Sequence, residues 1–127
     1  MWWWSVHWGR DMRSCPTSRQ RTTAAALAAV GADVIVGSHA HVLLGSGWQQ
    51  DTYVDYGLGN FVFYAGGGVT AQSGVLLLTV QGRRVVRSTW VPAQVRLGIP
   101  VQLEGEQATD AVTQWEGLRT CTDLLPG

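Results

Sequence analysis

Residues 33–37, DVIVG, constrain the fold of this chain more than any other stretch. Side chains alternate faces along a strand, so a short run that is apolar at successive positions needs cover on both sides. That is the signature of a strand inside a sheet with layers above and below it. Upstream, WWWSVHW (2–8) reads as a second buried strand that ends at Gly9. Between them, SRQRTTAAALAAV (18–30) is alanine-rich and helical, with Gly31 as its stop. Thr17 followed three residues on by Gln20 has the capping-box pattern, and Pro16 sits just before it. Strand, helix, strand is a βαβ unit. His7 and His39 fall at the carboxyl ends of its two strands, where open α/β sheets build their sites.

Downstream of residue 41 the pattern changes to β. TYVDYGL (52–58) and NFVFYAG (60–66) read as two short strands punctuated by Gly57 and Gly59, and AGGGV (65–69) as a flexible turn. GVLLLTVQ and RVVRSTWVP flank Gln81, Gly82 and Arg83 as a hairpin. Pro92 and Pro100 read as strand edges or exits. Ala108, Val112, Trp115 and Leu118 share one face of a final amphipathic helix. No repeat and no long linker divides the 127 residues, so one domain, or part of one, is expected.

Composition excludes several function classes. The hydrophobic share of 46% is that of a globular chain, and the formal net charge of zero offers no basic surface for nucleic acid. No apolar run is long enough to span a bilayer, and MWWW is too short for a secretory leader. Cys15 and Cys121 permit a disulfide without demanding one.

The chemistry-bearing stretch is GSHAH (37–41). It places two of the three histidines one residue apart, directly after the apolar strand. With His7 they make three imidazoles, a recognised ligand count for a zinc-like site. Spacing alone leaves the alternative open that all three are ordinary polar loop or core residues. No carboxylate lies at an obvious ligand spacing; Asp11 and Asp33 are helpers or solvated turn residues. A Cys15–His7 nucleophile pair lacks anything to activate the thiol. The GLG and AGGGV stretches lack the lysine and the spacing of phosphate-binding loops.

SVHWGR, GADVIVGSHAHVLLG and YGLGNFVFY, in this order and spacing, resemble the CapA family of capsule or poly-γ-glutamate synthesis proteins. The resemblance implies a calcineurin-like metallophosphoesterase fold, an α/β (α+β) sandwich of four αββα layers. It implies that His7 matches the family's lone-histidine motif, and that Gly37, His39 and His41 match its histidine loop. His7 and His39 would hold one divalent cation (Mn, Fe or Zn) and His41 a second. Asn60 would shape the floor of the site. The activity implied is metal-assisted hydrolysis of a phosphoester or related bond in envelope-polymer synthesis, with an extracytoplasmic location. In that setting Cys15 and Cys121 would be bridged, because disulfides persist there.

The sequence also departs from the family pattern. The family's aspartate-bearing G-D segment, acidic segment and N-H segment are not found in these residues. They would contribute carboxylates and a general acid. Residues 1–127 are therefore expected to be the C-terminal half of such a domain, inactive and poorly soluble by itself. A non-catalytic envelope protein on the same fold, or a non-functional gene fragment, are the alternative readings.

Overall fold

The computed structural model describes residues 1–64 and 67–127. Its elements in chain order begin with β1 (Trp3–Trp8), α1 (Ser18–Ala29), β2 (Val34–His39), β3 (Ser46–Gln49) and β4 (Thr52–Asp55). A 3₁₀ turn (Gly68–Ala71) leads to β5 (Gln72–Gln81), β6 (Arg84–Arg96), β7 (Ile99–Gln102) and α2 (Gly105–Gly117). Two sheets result: a mixed one in the order β1-β2-β4-β3 and an antiparallel one in the order β5-β6-β7. The fold class is mixed α/β with two sheets, as the sequence pattern implies.

The βαβ unit forms as read. β1 and β2 are parallel, with Trp3 opposite Val34 and His7 opposite Ser38. The Thr17 hydroxyl accepts from Gln20 N–H at 3.2 Å, and Gln20 Oε1 accepts from Thr17 N–H at 2.9 Å, closing the capping box. Gly31 ends the helix at φ +93°, where a Cβ would be strained.

Alternation along β2 divides the core. Ile35 faces α1 with Ala24, Val54 and Tyr56. Val34 and Val36 face the second sheet, packing with Tyr53, Val85, Leu76 and Leu78. A third cluster joins Leu43, Trp90 and Trp115, so α2 packs on the second sheet through Trp115, Val112 and Leu118. The C-terminal tail closes over β3: Leu125 pairs with Trp48, and the Tyr56 hydroxyl donates to Asp123 at 3.1 Å.

Three sequence readings need correction, and one strand had no sequence signal. β1 is not buried: it is the edge of its sheet, and Trp2, Trp3 and Trp4 are 61%, 54% and 40% exposed. Residues 46–49, left without a strand by the glycine-rich pattern, pair antiparallel with β4 across a turn at Gln50 and Asp51. Of the segment 60–66, residues 60–64 form no strand, and residues 65–66 lie outside the described residues, as does that part of the AGGGV turn. Pro92 lies inside β6, the central strand, opposite Gly74. It is tolerated because its carbonyl points toward β7 and accepts from Leu103 N–H at 2.9 Å. The missing N–H of Pro92 points the same way, just past the last β7 pair at Gln102, so no ladder bond to β5 is lost.

Candidate metal centre

The parallel register of β1 and β2 brings the first two histidines together. His7 Nε2 lies 2.9 Å from His39 Nδ1, with ring centroids 4.6 Å apart. His41 stands one step further into the loop, its ring centroid 6.3 Å from that of His39. His39 and His41 have φ of +106° and +60°. Neither is a glycine, so the loop holds both in costly backbone conformations, of order 1–3 kcal/mol each, that the surrounding structure must sustain.

Polar partners assign the proton on two of the three rings. Asn60 Nδ2 donates to the carbonyls of His41 (3.2 Å) and Thr70 (3.1 Å), which fixes Asn60 Oδ1 as the acceptor. His41 Nδ1 is 2.8 Å from that oxygen and so carries the hydrogen, leaving Nε2 a bare lone pair. His39 Nε2 is 3.2 Å from Asp11 Oδ1 and donates to the carboxylate, leaving Nδ1 bare. Ser38 Oγ lies 3.2 Å from His7 Nδ1 and 3.5 Å from the Val6 carbonyl, so its hydroxyl donates either to the carbonyl, leaving His7 Nε2 bare, or to the ring, placing the hydrogen on Nε2. In the first arrangement His7 Nε2 and His39 Nδ1 turn two lone pairs at each other across 2.9 Å; in the second His7 Nε2–H donates to His39 Nδ1. A hydrogen on His7 Nε2 or a cation between the two nitrogens satisfies the pair.

The donor set fits a metal in part. With metal–nitrogen bonds of about 2.05 Å, nitrogens 2.9 Å apart subtend about 90° at the ion, the angle of neighbouring ligands in octahedral geometry. A tetrahedral ion would need the two nitrogens ~0.4 Å further apart. Among the described residues no group of three or more His, Cys, Asp or Glu side chains is gathered closely enough to hold one ion. The pair is a half-shell, and His41 is separate from it.

Gly37 is where Trp8 crosses β2. The indole Nε1 of Trp8 donates to the Tyr56 carbonyl at 3.0 Å, and a Cβ on Gly37 would collide with both groups. Removing that side chain lets the strand carrying the histidine loop sit flush against its neighbours. Cys15 and Cys121 are bonded, with Cα atoms 5.7 Å apart, tying the loop after β1 to the segment after α2.

Of the two aspartates weighed earlier, Asp11 is at the site, its loop pinned by Met12 N–H donating to the Ala40 carbonyl at 2.9 Å. Asp33 is neither helper nor solvated turn residue. It sits at the far end of β2, only 12% exposed, and pairs with Arg83 at 3.1 Å. The Trp2 N–H first, and Arg83 after it, hold its carboxyl below the usual range against the opposing effect of burial.

Sequence reasoning missed Asp55. This carboxyl, at the end of β4, is fully buried; Oδ1 accepts from Gly57 N–H at 2.9 Å and Oδ2 has no partner. Burial pushes it up to about 7, with the Gly57 bond opposing. Its bond shapes the turn that leads to Asn60. The only sequence signal was one acidic residue ending an apolar strand pattern.

Comparison with known proteins identifies the family. The family model described as "Bacterial capsule synthesis protein PGA_cap" matches residues 3–65, which include all three histidines and Asn60. "PGA biosynthesis protein CapA" of Bacillus subtilis (strain 168) is 34% identical over 98 residues, 77% of this chain and 26% of the relative. "Capsule biosynthesis protein CapA" of Bacillus anthracis is 33% identical over 96 residues, 76% of this chain and 23% of the relative. The chain thus spans about a quarter of the length of these relatives. On motif order, matched residues and identity together, it belongs to the bacterial capsule synthesis family of CapA proteins.

Proposed function

We propose that this chain supplies the histidine side of a two-cation hydrolytic centre acting in envelope-polymer synthesis, on a calcineurin-like fold. The observation that carries the proposal is the facing pair: His7 Nε2 and His39 Nδ1 lie 2.9 Å apart with Ser38 and Asp11 on the opposite ring nitrogens, and Asn60 leaves His41 Nε2 a neutral lone pair. Metal-binding histidines need that protonation state and that kind of outer partner. His7 and His39 would share one cation, and His41 would serve the other. Bound there, the cations would supply an activated water and charge stabilisation for cleaving a phosphoester or related bond. The protein's own part is positional. Asn60 holds the His41 ring through its Nδ1 hydrogen, Asp11 holds His39, and Ser38 holds His7. The remaining ligands, carboxylates above all, would come from residues outside this segment. The fold accords with this: β1 has a free edge able to take a neighbouring strand.

Titration calorimetry with Mn²⁺ and Zn²⁺ tests the proposal. Weak binding is expected, lost when His7, His39 and His41 are all changed to Ala. Identical binding by that triple variant would overturn it. A second reading, a non-catalytic envelope protein on the same fold, is favoured by the lack of a three-ligand cluster among the described residues. The two readings separate in a longer relative carrying this segment. Metal-dependent turnover of a phosphodiester that disappears with His41→Ala supports the hydrolase, and cation binding without turnover supports the other.

A further inference from the structure

Residues 61–64, FVFY, are four large apolar side chains on a segment that forms no strand. Phe61, Val62 and Tyr64 are 50%, 75% and 91% exposed. Phe63 is half-buried instead, and its ring meets that of His41, with centroids 4.9 Å apart and planes inclined by 40°. That separation is within the range of aromatic ring contacts. Tyr64 touches the Phe63 ring in turn, also at 4.9 Å. The segment is held at two points. The Asn60 carbonyl accepts from the Ser73 hydroxyl at 2.6 Å, and Phe63 N–H donates to the Gly98 carbonyl at 3.2 Å. Gly98 and Leu97 make the two-residue turn between β6 and β7, with φ of +84° and +50°. A type I′ hairpin turn needs positive φ at both positions, which glycine takes without steric cost.

We propose that Phe63 is a positioning residue for His41, and that the β6–β7 turn holds Phe63 in place for that role. The purpose of the arrangement rests on the metal reading above, but the ordering of the ring does not. The bond from His41 Nδ1 to Asn60 Oδ1, at 2.8 Å, is a single contact at one edge of the imidazole. When it breaks, the ring can turn about its Cβ–Cγ bond unless something flanks its face. The phenyl ring of Phe63 does so, and it competes for neither nitrogen because it has no donor or acceptor of its own. Asn60 and Phe63 together therefore fix the tautomer and the direction in which Nε2 presents its lone pair. The carbonyl of Gly98 anchors the backbone that carries the phenyl ring, so the turn reaches the site through Phe63.

The test is long-range ¹H–¹⁵N NMR of the histidine rings in the whole chain, first without metal and then with Zn²⁺. Wild type should show His41 as a single Nδ1–H tautomer, and so should Phe63→Tyr, which keeps the ring. Phe63→Leu removes the flat face and should give the averaged ¹⁵N shifts of mixed tautomers. Gly98→Val, which strains the turn, should do the same, whereas Leu97→Gly, which relieves it, should match wild type. The Zn²⁺ concentration that half-saturates the His41 shift should rise about tenfold in Phe63→Leu and Gly98→Val. Melting temperatures are measured alongside, because a merely structural role would lower Tm and leave the tautomer intact. A single Nδ1–H tautomer surviving in Phe63→Leu, or mixed tautomers in the wild type, overturns the role of Phe63. A single tautomer surviving in Gly98→Val overturns the part given to the turn. An ordered wild-type ring that does not respond to Zn²⁺ would count against the metal reading, and the tautomer comparison would still decide the role of Phe63.

Discussion

Asp55→Asn isolates the energetic consequence of the one fully buried carboxyl. In the folded chain its pKa is raised from 3.8 to about 7 by burial. A carboxyl raised on folding binds its proton more tightly in the native state than in the unfolded one. Its penalty is therefore absent below the unfolded value, grows as pH rises from about 4 to 7, and is constant above that. At about 1.4 kcal/mol per pKa unit the full penalty is of order 4 kcal/mol, a large share of the ~5–15 kcal/mol typical of a domain. Between pH 5 and pH 8 the wild-type chain should lose about 2–3 kcal/mol from this group alone. Asparagine keeps an oxygen to accept from Gly57 N–H but does not titrate. Urea unfolding at steps from pH 5 to 8 should show a falling stability for the wild type and a much flatter line for Asp55→Asn. Asp33 does not confuse the window, because its depressed pKa places its titration at lower pH. Parallel lines for the two proteins would refute the reasoning.

Three further outcomes are expected. Changing Cys15 and Cys121 to Ala together opens a loop of sequence separation 106 and should cost about 4–5 kcal/mol in the chain-entropy model, read as a lowered Tm; free thiols in oxidised, folded wild type would contradict the bridge. Gly37→Ala pushes a methyl into the Trp8–Tyr56 bond and should destabilise by about 2–4 kcal/mol in denaturant, and a loss within 0.5 kcal/mol would show that this crossing is loose. Asn60→Ala removes the acceptor that holds the His41 ring and should weaken metal affinity about 10–100-fold, at a stability cost of about 1–3 kcal/mol for the unpaired His41 and Thr70 carbonyls, whereas unchanged affinity would remove Asn60 from the site.

What the sequence disclosed follows from how local each signal was. The capping box, the Gly31 stop and the doubly apolar β2 are short-range patterns, and they fixed the βαβ unit and put His7 and His39 at the same edge. The α2 face was legible for the same reason. β3 was not: Ser46 and Gly47 carry no alternation, and that strand exists because β4 and the tail at Leu125 pair with it. WWWSVHW reads as a buried strand, yet three successive tryptophans must face both sides of it. How far they are hidden depends on which strands flank β1, which no local pattern states. Pro92 misled because proline's penalty depends on which side its missing N–H faces, a property of register. The partners Ser38, Asp11 and Asn60 engage the histidine rings across separations of 31, 28 and 19 residues. Such pairings emerge only once the loops are folded.

Anomalous diffraction from crystals of the chain grown with Mn²⁺ tests the central claim most directly. The claim is that the facing nitrogens of His7 and His39 together hold a cation. Expected is a peak about 2.0–2.3 Å from both His7 Nε2 and His39 Nδ1, with the Asp11 and Ser38 contacts retained on the opposite nitrogens. A map with no peak near that pair, or with manganese on the nitrogen of His39 that faces Asp11, would contradict it.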